Sequence, residues 1–159
     1  MSGRIYENKT IGIAFVGTET KFNCGCAIKG NLLKLVKKNL FKSNFFEDAA
    51  KLYAICIYFI IRDSKKKINT LIICNDEDFR IVTKSLFYLL ESFDFEIINI
   101  SEFRKGLGRN VGSFADNYAK IYRRKALKPT RLSIGRELNV VKINYKLIKR
   151  YWEKLNKKE

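Results

Sequence analysis

Two stretches near the start of the chain place an apolar side chain at every second position. They are residues 10–17 (TIGIAFVG) and 21–29 (KFNCGCAIK), and this alternation is typical of strands with one buried face. Residues 17–20 lie between them and predict a hairpin turn. Residues 4–7 are predicted to form a further short strand. The pattern therefore predicts an antiparallel hairpin at the start of the fold.

Beyond residue 30 the apolar positions change to a helical spacing, and helices then alternate with short apolar strands. The predicted order is helix 31–39, helix 45–62, strand 68–75, helix 78–92, strand 95–100, loop 101–112 and helix 113–127. Strands followed by such alternation predict an α/β fold, a mixed β-sheet with an N-terminal antiparallel hairpin, flanked by helices. Residues 1–128 would form this domain, and residues 129–159 a basic helical tail.

Positive charge is concentrated in the last third of the chain. The net charge is +16, of which residues 1–102 contribute +3 and residues 103–159 contribute +13. A segment this basic favours polyanions, so nucleic acid is the expected partner, with RNA, DNA and an RNA–DNA hybrid all open. The hydrophobic content of 47% is enough for the core of one folded domain.

Several classes of function are disfavoured by what the chain lacks. It contains no histidine, which excludes Ser-His-Asp and Cys-His catalysis and, without a CxxC pair, makes a zinc site unexpected. Its cysteines lie in apolar segments, as expected for reduced thiols in a cytoplasmic protein. The first residues are polar and charged, unlike a signal peptide. The apolar run at residues 49–61 is too short to span a bilayer, so no membrane partner is expected.

Three acidic points stand out in this basic chain. Asp76 follows the apolar strand that ends near Cys74, and the carboxyl end of a buried strand is where α/β folds place ligands and metals. Glu47 and Asp48 open the second predicted helix, and Asp116 opens the last helix before the tail. Carboxylates that converge from strand ends and helix starts can hold two metal ions for phosphodiester hydrolysis.

The order of these acidic residues resembles that of the ribonuclease H-like superfamily. Residues 44–47 (NFFE), followed by two alanines, are similar to the family's N-x-x-E helix start. Residues 72–76 (IICND) are similar to its strand aspartate, and residues 114–119 (FADNYA) to its A-D-x-x-A helix. The resemblance covers roughly residues 4–126. It implies a Mg²⁺- or Mn²⁺-dependent endonuclease with Glu47, Asp76 and Asp116 as catalytic metal ligands.

The chain departs from the family at the first strand, where members carry an aspartate. Glu7 takes that place if residues 4–7 are the first strand, and Glu19 is the option if the sheet begins at residue 10. Asp48 is the other candidate for a fourth ligand. If no acid reaches this place, the resemblance implies a protein that kept the fold and binds nucleic acid without cleaving it.

A second resemblance is to PIN and NYN ribonuclease domains. Residues 75–79 (NDEDF) look like their strand-end D-x-D-F element, and Asp48 with two following alanines is similar to their helical aspartate. Residues 115–118 (ADNY) resemble a late helix of NYN members. Their first-strand aspartate would fall at Gly17, and the hairpin has no counterpart there. Asp76 is the central metal ligand in both resemblances.

The basic tail resembles a helix-turn-helix and suggests, as another alternative, a DNA-binding protein. Ile134 and Leu138 would pack inside its first helix, residues 139–140 would form the turn, and Ile148 and Trp152 would anchor its second helix. The other interpretation is a basic amphipathic helix packed on the core. The cations expected to contact nucleic acid are Arg104, Lys105, Arg109, Arg123, Arg124, Lys125, Lys142, Lys146, Lys149 and Arg150.

Overall fold

The hairpin predicted from the alternating positions is present in the computed structural model, which describes residues 1–17, 22–42, 44–91, 94–107, 113–128 and 138–157. The five strands of this part are β1 (Ile11–Val16), β2 (Asn23–Ile28), β3 (Thr70–Ile73), β4 (Glu96–Asn99) and β5 (Asn139–Val140). Its six α-helices are α1 (Gly30–Leu40), α2 (Phe45–Ser64), α3 (Phe79–Leu90), α4 (Ile100–Leu107), α5 (Ser113–Leu127) and α6 (Tyr145–Asn156). The fold is α/β, with a small mixed sheet flanked by helices.

The described strands form two ladders. β1 and β2 are antiparallel, with Ile11 opposite Ile28 and Val16 opposite Asn23, and β5 adds to β2 in parallel. β3 and β4 form a separate parallel pair. Within the described residues no ladder joins β1 to β3; Ser2 pairs with Gly12 on the edge of β1 that β2 leaves open. A mixed sheet is therefore present, as expected, but in two pieces.

The two faces of the β1–β2 hairpin carry side chains of different size. Gly12 pairs with Ala27 and Gly25 with Ala14, so one face is lined by very small residues. A β-carbon at Gly12 would lie 2.1 Å from the carbonyl oxygen of Ala119, so α5 packs directly on this face. The larger residues point to the opposite face, where the Cys24 thiol donates to the carbonyl of Ile60 in α2. The hairpin therefore lies between α5 and α2.

Helix α2 forms the centre of the core because it is apolar around most of its surface. Among its fully buried side chains are Leu52, Ile55 and Phe59, and the helix contacts α3, α6, β1 and β2. Its first turn is capped by Asn44, whose side-chain oxygen accepts a hydrogen bond from the backbone N–H of Phe46. None of the described helices is long and apolar enough to cross a membrane.

Two predicted segments have a different structure. Residues 4–7, predicted as a strand, contain a 3₁₀ helix, Ile5–Glu7. The turn buries Ile5 in the core, and the carbonyl oxygens of Ile5 and Tyr6 accept hydrogen bonds from the ammonium of Lys37 instead of from a neighbouring strand. Residues 101–112 were expected to form a loop, but α4 begins at Ile100. The hairpin turn predicted at residues 17–20 lies, apart from Gly17, outside the described residues.

The described part of the tail packs into the same hydrophobic core as the rest of the chain. Ile148, Trp152 and Leu155 of α6 are buried in it, as the interpretation of an amphipathic helix required. The predicted helix-turn-helix is wrong in its turn, because Asn139 and Val140 form β5 and pair with β2. The first helix of that motif lies mostly outside the described residues.

Candidate functional site

Asp76 lies just beyond the carboxyl end of β3. Leu71 and Ile73 are buried and fix the strand, and Asp78 ends the following turn by capping α3. The Asp78 carboxylate accepts hydrogen bonds from the backbone N–H groups of Arg80 (2.9 Å) and Ile81 (3.3 Å). The short turn between strand and helix therefore presents Asp76 at the surface, as the sequence predicted.

Asp116 is brought to the same place by the way α5 lies on the hairpin. Ala119 and Tyr122 are buried against the small-residue face of β1 and β2. The Tyr122 hydroxyl donates to the side-chain oxygen of Asn23 at 2.6 Å, which fixes the helix along its axis. Ala115 lies beside the sheet on the wall of a cavity shared with Cys74. This places the first turn of α5, with Asp116, beside the turn that carries Asp76.

One positive charge lies between the two aspartates. The α-ammonium of Met1 donates to Asp76 Oδ2 at 2.6 Å and lies 3.6 Å from Asp116 Oδ1. Burial disfavours the charged form of this amine, but the carboxylate of Asp76 outweighs burial and raises its pKa. The two carboxylates thus face a common point that a cation can occupy.

Glu77 adds a further carboxyl group next to this pair. It is half-buried, and burial, with the charge of Asp76, raises the pKa of Glu77 to about 7. The sequence analysis passed over Glu77, although consecutive acids directly after a buried strand were a visible signal. Among the described residues, no group of three or more histidine, cysteine, aspartate or glutamate side chains is arranged to hold a metal ion.

Helix α4 brings basic residues next to the acidic pair. The side-chain amide of Asn75 donates to the hydroxyl of Ser101 in the first turn of α4, which ties this helix to the Asp76 turn. Arg104 and Lys105 are exposed on it. Burial raises the pKa of the Cys74 thiol and the guanidinium of Arg104 opposes this shift, so Arg104 lies within electrostatic reach of the site.

The other predicted acids have different partners. Glu47 forms an ion pair with Lys51 at 2.8 Å, in a cleft that also contains Ser85 of α3 and Leu155 of α6. Asp48 is buried and accepts a hydrogen bond from the backbone N–H of Lys42 at 2.9 Å. The first contact lies within α2 and the second joins α2 to the segment just before it, and neither acid has a described contact with Asp76.

Glu7 is exposed in the 3₁₀ helix, whose carbonyl groups at Ile5 and Tyr6 accept from Lys37 of α1. No described contact links Glu7 to Asp76 or Asp116. Glu19 lies outside the described residues. The structure therefore brings Asp76 and Asp116 together and gives the three other described candidates, Glu7, Glu47 and Asp48, separate surroundings.

The predicted basic residues fall into two groups. Arg104 and Lys105 lie on α4, which the Asn75–Ser101 hydrogen bond joins to the Asp76 turn, and Arg123, Arg124 and Lys125 lie on α5, the helix that carries Asp116. Lys142 precedes α6, and Lys146, Lys149 and Arg150 are exposed on it, on a helix that contacts α1, α2 and α3. Arg109 lies outside the described residues.

Comparisons with known proteins leave the chain without an assigned family. No family model matches it, and neither a curated protein nor a solved structure matches it.

Proposed function

We propose that this protein binds nucleic acid and hydrolyses its phosphodiester bonds with Mg²⁺ or Mn²⁺ held by Asp76 and Asp116. The observation that carries the proposal is the shared position of the two carboxylates. Oxygen atoms of Asp76 and Asp116 lie 2.6 and 3.6 Å from the same positive group, the α-ammonium of Met1. They belong to elements far apart in the chain, so folding alone creates the site. Two neighbouring carboxylates in a protein of net charge +16 require a functional explanation.

Divalent cations are the ligands best suited to this pair. Carboxylate oxygens are hard donors, and Mg²⁺ in proteins is often bound by one or two carboxylates while it keeps several of its waters. When bound, the metal supplies an activated water and neutralises charge on the phosphate. Glu77 lies next to Asp76, and a cation bound there would favour the ionised form of its carboxyl group, whose pKa is raised to about 7 by burial and by Asp76.

Cations around this site can hold the phosphate backbone of the polymer. Arg104 and Lys105 of α4 are exposed on the helix that Asn75 and Ser101 tie to the Asp76 turn. An arginine or lysine next to a carboxylate pair lets a polyanion approach groups that would otherwise repel it. Asp76 and Asp116 would then hold the metal, while Arg104 and Lys105 position the backbone.

We propose that the domain that carries this site is a divergent member of the ribonuclease H-like superfamily. The order of elements supports it, since a hairpin is followed by α2, by β3 with Asp76, and by α5 with Asp116. The interrupted ladder between β1 and β3 and the ion pair of Glu47 are departures from the family. A PIN or NYN type ribonuclease remains the alternative, and it also makes Asp76 the central ligand.

The test is cleavage of end-labelled single-stranded RNA, duplex DNA and an RNA–DNA hybrid with Mn²⁺, with Mg²⁺ or with EDTA. We expect metal-dependent cleavage by the wild-type protein that Asp76→Asn and Asp116→Asn each reduce by at least about 100-fold, since a metal ligand is lost. Binding should persist, because each change removes a negative charge from the path of the phosphates. The control is Asp94→Asn, at an exposed aspartate before β4, which should cleave like the wild type.

The second candidate is a nucleic-acid-binding module without catalysis. It is favoured by the ion pair of Glu47 with Lys51 at 2.8 Å, which engages one acid of the expected set in a contact within α2. In that case the folded protein binds one of the polymers in a gel mobility-shift assay but cleaves none of them. Asp76→Asn then leaves the binding unchanged and introduces no cleavage.

A further inference from the structure

Phe114 exposes a large aromatic ring in the first turn of α5, where the residue is 72% exposed. A single exposed ring is not unusual by itself, but its surroundings distinguish Phe114. The other exposed aromatic side chains in the described part of the chain, Tyr6, Phe46 and Phe87, each contact a neighbouring ring or cation. Phe114 has no such contact with any described residue. Its ring is therefore open to an external partner.

Phe114 lies next to the carboxylate pair along the chain. It precedes Asp116 by two residues, so only about 3 Å of helix axis separates their α-carbons. Side chains two positions apart leave a helix in different directions, and the carboxylate of Asp116 approaches the Met1 amine, 3.6 Å away, beside Asp76. The ring of Phe114 therefore borders the candidate metal site without occupying the space between the two carboxylates.

The helices around the ring carry the cations that a nucleic acid strand needs. Lys120 and Arg124 are exposed further along α5, and Arg104 and Lys105 are exposed on α4. Proteins bind single strands by this combination, in which cations contact the phosphates and an aromatic ring stacks on a base. A base inside a duplex is already paired and stacked, and it must be taken out of the stack before a protein ring can stack on it. An unpaired base therefore fits both the ring of Phe114 and the charge around it.

We propose that Phe114 stacks on an unpaired base of the strand whose phosphate is held at Asp76 and Asp116, so that the protein acts on single-stranded segments. This inference rests on the proposed function and adds the class of substrate. The base and the phosphate of a nucleotide project in different directions, as do the side chains of Phe114 and Asp116. Every base has a π face that can stack on an aromatic ring. The ring therefore gives a preference for single strands without a preference for sequence.

The test measures binding of labelled oligonucleotides to the full chain by fluorescence anisotropy in EDTA, where no metal-dependent cleavage occurs. The probes are single strands of RNA and of DNA, a duplex of the same sequence, and a strand of abasic deoxyribose phosphates of the same length. Phe114→Ala should bind a single strand about 5- to 150-fold more weakly than the wild type, the effect of losing one stacked base. It should bind the duplex and the abasic strand like the wild type. The slope of log affinity against log salt should not change, because no charge is removed.

Phe46→Ala is the matched control, since it removes a ring of nearly equal exposure, 73%, from the first turn of α2. It should bind every probe like the wild type, and Phe114→Trp should keep the affinity for single strands. If Phe114→Ala binds both single strands as tightly as the wild type, or loses as much affinity for the abasic strand, the role of Phe114 is overturned while the metal site stands. The same holds if the wild type binds only the duplex. If the wild type binds no nucleic acid, both the role of Phe114 and the proposed function are overturned.

Discussion

Lys51 holds a positive charge inside the protein and depends on neighbours for compensation. It is 5% exposed, pairs with Glu47 at 2.8 Å and donates to the side-chain oxygen of Asn156 in α6 at 3.3 Å. Removing one partner of a buried ion pair leaves the other charge poorly solvated, which costs more than the pair itself contributes. Glu47 therefore has a structural role that can be separated from catalysis.

We expect Glu47→Gln to lower the free energy of unfolding by about 2 kcal/mol, because the amide compensates the ammonium less well. Urea denaturation measures this loss. Glu153→Gln is the control, since Glu153 forms an exposed pair with Lys149 at 3.8 Å and should cost at most about 0.5 kcal/mol. If Glu47→Gln is as stable as the wild type but loses metal-dependent cleavage, Glu47 is a metal ligand after all, as the resemblance implied.

Glu77 gives the stability of the metal-free protein a pH dependence of definite sign. Its pKa is raised to about 7 in the folded state, first by burial and then by Asp76, against about 4.3 in an unfolded chain. The folded protein thus binds the proton more tightly, and this contribution to stability is complete below the unfolded pKa and is lost as the pH rises through about 7.

In EDTA, Glu77→Gln should therefore match the wild type near pH 4 and become the more stable of the two above pH 7. Denaturation curves at both pH values measure the free energy of unfolding of each protein. The difference between the two proteins reports on Glu77 alone, because all other groups titrate in both. A difference that stays constant between pH 4 and pH 8 would show that Glu77 is ionised as freely in the folded protein as in the unfolded chain.

At the level of elements, the approach of α5 to the hairpin controls where Asp116 lies. The small-residue face allows backbone contact, and a β-carbon at Gly25 would lie 2.6 Å from the ring of Tyr122. A side chain on this face must push the helix outward or distort the strand, because protein interiors have little free space. The separation between Asp116 and Asp76 therefore depends on glycines that have no contact with a ligand.

We expect Gly12→Ala to destabilise the protein by about 2 kcal/mol or more, since the new methyl group would meet the carbonyl of Ala119 at 2.1 Å. Its Mn²⁺ affinity should fall as well, because the shift of α5 separates the carboxylates. Thermal unfolding and Mn²⁺ titration measure the two effects. The control is Ala14→Gly, which removes a methyl group from the same face and should leave Mn²⁺ binding unchanged.

Hydrophobic periodicity predicted most of these elements because burial determines them locally. β1, β2, α1, α2, α3 and α5 occur where the spacing placed them. The helix α4 was missed because glycines and cations dominate residues 101–112, although Ile100, Phe103 and Leu107 have helical spacing. β5 could not be found this way, since a strand of two residues exists only through its pairing with β2.

The sequence predicts only part of the candidate site, because it shows where helices and strands begin and end but not how a helix is rotated. Asp76 and Asp116 were placed correctly at a strand end and a helix start, which are local properties. Glu47 was assigned to the same site from its position in the chain, but the face of α2 that carries it is set by the packing of α3 and α6. The rotation of a helix that is apolar on nearly all sides cannot be read from its own pattern.

On the scale of the whole molecule, the expected nucleic-acid-binding cations lie on different helices at different places. Arg104 and Lys105 lie on α4, which is joined to the Asp76 turn, whereas Lys146 and Arg150 lie on α6, which packs against α1, α2 and α3. A polymer bound for cleavage must pass the cations next to Asp76. The two pairs of cations should therefore contribute unequally to binding of a short polymer.

We expect the double change Arg104→Ala with Lys105→Ala to weaken binding of a short oligonucleotide and to reduce the slope of log affinity against log salt by about 1.4–1.8, as for the loss of two phosphate contacts. Lys146→Ala with Arg150→Ala has the same effect on net charge and is the matched control, with a smaller loss of affinity. Fluorescence anisotropy across a range of salt concentrations measures both. A larger loss from the α6 pair would place the polymer along α6 instead of next to Asp76.

The pairing of β2 with β5 has a consequence for how the chain folds during synthesis. Gly25 and Val140 are direct partners, and Trp152 completes the core that α2 begins. While the ribosome is still adding the segment between them, β2 presents an unpaired edge and α2 an uncovered apolar surface. Such intermediates are open to aggregation and fold late, because the closing contacts join distant parts of the chain. The nascent chain is therefore expected to need protection by chaperones until α6 has left the exit tunnel.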